Sequence, residues 1–214
     1  MNARDQAVVL QAASVCLRYP DEALLALMPV VRNAVDALRP GPPRERLGYF
    51  LDTLAATAPE RAAQHYVEVF DTRRRCCLYL TWWTDGETRR RGAALAGLKA
   101  RYRESGVEFE DPELPDFLPA VLEFAATADL AAGLQLLQEH RPGIELLRLA
   151  LLDAGTPYAA TVEAVCALLP GASPADVAAA KALARSGPPR EQVGLDLPTF
   201  TGAPFGTIPA GGPS

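Results

Sequence analysis

The chain has 214 residues, of which 49% are hydrophobic and 22% charged, and a formal net charge of −5. That balance suits an ordinary folded chain of one domain, or at most two small ones, and excludes a disordered or low-complexity one. The acidic excess argues against general affinity for nucleic acid, which comes mostly from basic groups displacing counterions around phosphate.

Ala and Leu recur at helical spacing with little polar–apolar alternation, so the sequence predicts an all-α fold, a single helical bundle of about nine to ten helices over residues 1–186. The first helix covers 5–19, with Val8, Val9, Ala12, Cys16 and Tyr19 on one side, and Pro20 ends it. It is interrupted by Asp5, Gln6 and Gln11, which reads as a helix rather than a signal peptide. A second helix starts near Asp21, where Pro29 must kink or split it. Leu47, Phe50, Leu51 and Leu54 make a stripe over 44–56, and Pro59 and Glu60 open a helix running through Tyr66 to Phe70.

Residues 75–83 are apolar nearly all round and are expected to form a central helix with Cys76, Tyr79, Leu80 and Trp83 on one face. A turn at Asp85, Gly86 and Glu87 follows, with Thr88 as N-cap of a helix ending at Gly106. The next helix is expected to open at Leu114, Pro115 and Asp116, which would put Asp116 and Glu123 on a common face. Further helices follow over 130–137, 144–152 and 157–168, and Ser173 and Pro174 cap the last. From 187 to 214 there are six Pro and six Gly among 28 residues, and so few large side chains that an extended or partner-dependent tail is expected.

No Gly-rich phosphate loop, nucleophile elbow, zinc-protease motif or C-x-x-C pair is present, so the sequence does not read as an enzyme. Cys16, Cys76, Cys77 and Cys166 are too scattered for a disulfide framework, and reduced thiols point to the cytoplasm. No apolar run is long enough to cross a bilayer. Three successive arginines at Arg73–Arg75, and again at Arg89–Arg91, fan around a helix rather than forming a stripe, which favours ion pairs with Asp71, Asp85 and Glu87 over DNA binding. An aromatic segment flanked by Glu68, Asp71 and Asp85 meets the needs of a groove for a basic amphipathic peptide, although the spacing alone favours a core helix with solvated ends.

Two segments settle that choice by resemblance. FDTRRRCCLYLTWWTDGETRRRGAALAGLKARYRESG, together with ELPDFLP and the following LEF, resembles the NarJ-type nitrate reductase assembly chaperones, a branch of the wider TorD/DmsD group. Residues 17–21, Leu-Arg-Tyr-Pro-Asp, look like the start of that family, while Phe117 stands where the family usually carries histidine. The resemblance implies a TorD-like, cytoplasmic, cofactor-free protein, monomeric or weakly dimeric. It implies binding to the N-terminal peptide of the nitrate reductase catalytic subunit while the iron–sulfur and molybdenum cofactors are inserted. The peptide-binding residues expected on this reading are Tyr66, Glu68, Phe70, Asp71, Arg75, Tyr79, Trp82, Trp83, Asp85, Asp116 and Glu123.

Overall fold

Short carboxylate and amide side chains set several helix starts: Asn2, Asp21 and Asp129 accept the N–H groups of Asp5, Leu24 and Ala132 and so open three of the helices. Proline begins others, its missing N–H costing nothing in a first turn. The computed structural model describes residues 1–86, 88–109 and 113–186, and the expected tail and Glu87 lie outside them. In chain order the helices are α1 (Ala3–Cys16), α2 (Glu22–Asp36), α3 (Pro42–Ala55), α4 (Pro59–Tyr66), α5 (Leu80–Asp85) and α6 (Arg89–Glu104). They continue as α7 (Leu118–Thr127), α8 (Leu130–Glu139), α9 (Arg141–Asp153), α10 (Tyr158–Cys166) and α11 (Val177–Ser186). The all-α expectation holds, and the sheet-like pairing among the described residues is a single antiparallel bridge between Tyr79 and Phe117.

The helices buried on nearly every side are α7 and α10, not residues 75–83. α1 lies along α7, and the Ser14 hydroxyl donates to the Pro119 carbonyl at 2.8 Å, satisfying a buried polar group across that contact. α8 approaches α7 so closely that a Cβ at Gly133 would sit 2.2 Å from that of Ala125. One continuous core from Val9 to Leu169 results. Pro29 does not split α2, which runs unbroken past it.

The loop before α11 is fixed by a buried ionic cluster rather than by a serine cap. Glu145, fully buried on α9, lies between Arg141 at 3.4 Å and Arg148 at 2.7 Å and accepts the Ser173 hydroxyl at 2.8 Å. Both arginines also donate to loop carbonyls, Arg141 to Gly171 and Ala172 and Arg148 to Pro174, which leaves the buried charges paired and hydrogen-bonded. Ser173 is thereby taken, and Asp176 accepts the Ala179 N–H at the start of α11.

His140, at the α8–α9 junction, has a buried Nδ1 with no hydrogen-bond partner. Burial lowers its pKa below the ordinary 6.5, outweighing the carboxylates of Glu139, Asp116 and Asp85. Below that value the unfolded chain binds more protons than the folded one, so this histidine makes stability decline as pH falls through 6.5 toward the depressed folded value. Urea-unfolding midpoints measured between about pH 7 and pH 5 are expected to fall less in His140→Gln than in the parent chain.

Candidate functional site

The segment after α4 departs from a regular helix at once. Residues Val67–Asp71 form a π-helical turn, Arg74–Cys76 a single 3-10 turn, and Cys77 and Tyr79 are extended. The expected helix over 75–83 is therefore replaced by a turn, an extended stretch and the short α5. The cause is non-local: the Leu80 N–H donates to the Asp116 carbonyl at 2.9 Å and the Leu118 N–H to the Leu78 carbonyl at 2.8 Å. Pairing with 116–118 takes the backbone groups that a helix would use.

The same pairing moves Asp116 off α7, which starts at Leu118 with proline in its first turn. Asp116 is fully buried and its Oδ2 accepts the Thr81 N–H at 3.1 Å and the Thr81 hydroxyl. Arg91, reaching from α6, lies 3.6 Å from the same oxygen. The expected face shared by Asp116 and Glu123 does not exist: Asp116 is an internal latch between α5, α6 and the bridge, and Glu123 is exposed.

That bridge sets Tyr79 beside Phe117, ring centroids 5.5 Å apart, at one wall of a groove of 460 Å³. The floor and far wall are Tyr66, Phe70 and Tyr19, with Tyr66 contacting Phe70 at 4.8 Å and Tyr19 at 5.5 Å. The π-helical turn places both Phe70 and Asp71 on this lining. Leu24 and Leu78 complete the apolar surface.

Carboxylates from three elements stand on the rim: Asp21, Asp71 and Glu113. Glu113 accepts the Tyr79 hydroxyl at 2.6 Å, and Asp21 accepts the Leu24 N–H at 2.7 Å. Arg18 is the cation of the lining, and it is bound by Glu123 at 2.8 Å. The local field is negative. Burial raises the pKa of the Tyr66 phenol, and the charges of Asp71 and Glu113 raise it further against Arg18. Burial and the bond to Glu113 push Tyr79 the same way. An aromatic trough with this rim suits a cation-bearing apolar segment.

Of the expected site residues, the groove gathers Tyr66, Phe70, Asp71 and Tyr79 directly, and Glu123 through Arg18. Arg75 and Trp83 line a separate groove, and Trp83 is fixed there by its indole N–H donating to the Cys77 carbonyl at 3.1 Å. Trp82 lies under the Arg74 guanidinium at 5.4 Å. Glu68 accepts from Gln64 and borders a small hollow beside His65, while Asp85 accepts from the Thr84 hydroxyl. Tyr19, Asp21, Glu113 and Phe117 were not among the expected lining residues. The Leu-Arg-Tyr-Pro-Asp run and the oddity of Phe117 were the available signals. No cluster of three or more His, Cys, Asp or Glu able to hold a metal occurs among the described residues.

A family model for the nitrate reductase delta subunit matches residues 40–163, more than half of the chain. The chain belongs to the nitrate reductase delta-subunit family. The matched delta-subunit region carries Tyr66, Phe70, Asp71, Tyr79, Glu113 and Phe117, whereas Arg18 to Leu24 form a wall outside it. Among delta-subunit relatives, the Bacillus subtilis NarJ protein is 34% identical over 79% of this chain and 92% of its own length. The nitrate reductase molybdenum cofactor assembly chaperone NarJ of Escherichia coli is 32% identical over 81% and 75%. The nitrate reductase-like protein NarX of Mycobacterium tuberculosis is 45% identical over 74% of this chain, which spans only 24% of that longer protein. The delta-subunit fold here is also similar to the crystal structure of a candidate redox enzyme maturation protein from Archaeoglobus fulgidus. The TM-score is 0.57 at 18% identity, covering 76% of this chain and 92% of the other, a likeness of fold alone.

Proposed function

We propose that the chain is an assembly chaperone that receives the N-terminal segment of the apo catalytic subunit of respiratory nitrate reductase in the cytoplasm. It holds that subunit while the molybdenum and iron–sulfur cofactors enter, before the subunit docks at the membrane. The observation that carries this reading is the aromatic groove with carboxylates on its rim. The naming of the similar Escherichia coli protein as a molybdenum cofactor assembly chaperone supports the client class.

The groove acts by binding, not by turnover. An amphipathic leader lays its apolar side on Tyr66, Phe70, Tyr79 and Phe117, and its Lys or Arg side chains meet Asp71 and Glu113. Aromatic burial supplies most of the affinity, because rim pairs open to water contribute only about 0–1 kcal/mol each. Ordering a flexible leader offsets part of that gain, which keeps the complex reversible and lets the finished subunit leave.

In cells lacking this chain, the catalytic subunit is expected to accumulate with little molybdenum, measured by metal analysis of the purified subunit. Restoring the chain is expected to restore the metal. A subunit that is fully loaded without the chain contradicts the assignment.

A further inference from the structure

The aromatic trough is smaller than a second groove of the fold. A groove of 910 Å³ runs between the Arg74–Cys76 turn, α9 and α11, floored by Leu146, Leu149 and Trp83. Four cations line it, the three successive arginines and Lys181, against two carboxylates, Asp153 and Asp176. Its character is opposite to that of the leader site: apolar floor, cationic rim. The assembly reading makes no use of it.

The sequence itself offers a matching segment. Val177 and Lys181 of α11 form one wall, so the chain leaves this helix beside the groove, with 28 residues still to come. An extended chain covers about 3.3 Å per residue, so ten residues beyond α11 reach about 30 Å, enough to return along a helix of that length. Residues 191–208 contain two acids, Glu191 and Asp196, and no Lys or Arg. Val193, Leu195 and Leu197 alternate, the spacing that puts side chains on one side of an extended strand.

We propose that residues 191–200 are an intramolecular ligand of the α9–α11 groove. Val193, Leu195 and Leu197 cover its apolar floor, and the same alternation turns Asp196 to the other side, toward the rim arginines. Tethering supplies an effective concentration of about 1 mM, so a segment of only millimolar intrinsic affinity occupies the groove about half the time. A client segment that uses this face must displace it.

The test uses the full chain with the photo-cross-linker p-benzoylphenylalanine in place of Leu197. Cross-links are expected within one molecule, to residues 73–83 or 146–154. Arg73→Glu with Arg75→Glu is expected to lower their yield by roughly tenfold. The tail-side variant Asp196→Lys is expected to lower the yield too, which separates lost contact from lost fold. Cross-links scattered over the surface, found only between molecules, or insensitive to either charge reversal would overturn the proposal.

Discussion

Asp116→Ala is expected to destabilise the protein by about 3 kcal/mol, near the lower end of what removing one partner of a buried ion pair costs. The carboxylate is fully buried, yet its partner Arg91 keeps 22% of its side-chain surface exposed, so water takes up part of the lost charge. The Thr81 N–H and hydroxyl, on a fully buried residue, lose their acceptor. For a chain of this size about 3 kcal/mol lowers the melting temperature by roughly 6–12 °C. Asp116→Asn keeps the shape and one acceptor, and is expected to cost about half as much. Because Asp116 adjoins the Tyr79–Phe117 bridge, leader binding should weaken together with stability, although the carboxylate touches no ligand. Unfolding by heat and by urea checks both substitutions. An unchanged midpoint in Asp116→Ala would remove the latch from the account.

The second large effect is electrostatic and leaves the fold intact. Asp71→Lys combined with Glu113→Lys turns two attractive rim positions into repulsive ones. Each reversal is expected to cost about 1 kcal/mol at an exposed rim, so leader-peptide affinity should fall roughly thirtyfold, as read by calorimetry. Salt should weaken the parent complex and leave the double variant less affected. Asp85→Lys, away from the groove lining, is expected to change little.

Why these residues could not all be read from sequence follows from where their partners lie. The stripes of α1, α3 and α6 are local, and the periodicity located them to within a few residues. Residues 75–83 look like one more apolar helix because composition carries no trace of the 116–118 segment that pairs with them. Asp116 in ELPD likewise resembles a first-turn acid until Thr81 and Arg91, 35 and 25 positions away, are seen to enclose it. The two tryptophans are the largest rings in the segment, and size alone makes them candidates for an aromatic floor. Trp83 instead packs so tightly on α9 that a Cβ at Gly143 would sit 2.7 Å from its own. The groove's far wall, Tyr19 and Asp21, belongs to a helix junction that only the packing of α1 and α2 brings opposite Tyr79.

The family resemblance points to the central stretch as a whole. It could not tell which of its side chains face inward, because burial depends on elements at either end of the chain. Phe117 shows the difference. Where the resemblance leads to the expectation of histidine, it is an 8% exposed ring tilted at 39° against Tyr79, so the groove gains apolar area in place of a titrating group.

The central claim is that the aromatic trough, not the tryptophan face, takes the leader. Aromatic-side-chain NMR spectra, recorded while a peptide copying the leader of the catalytic subunit is added, address it most directly. Shifts concentrated in Tyr19, Tyr66, Phe70, Tyr79 and Phe117 are the predicted result. Shifts confined to Trp82 and Trp83, or saturation of binding with those five rings unmoved, would contradict it.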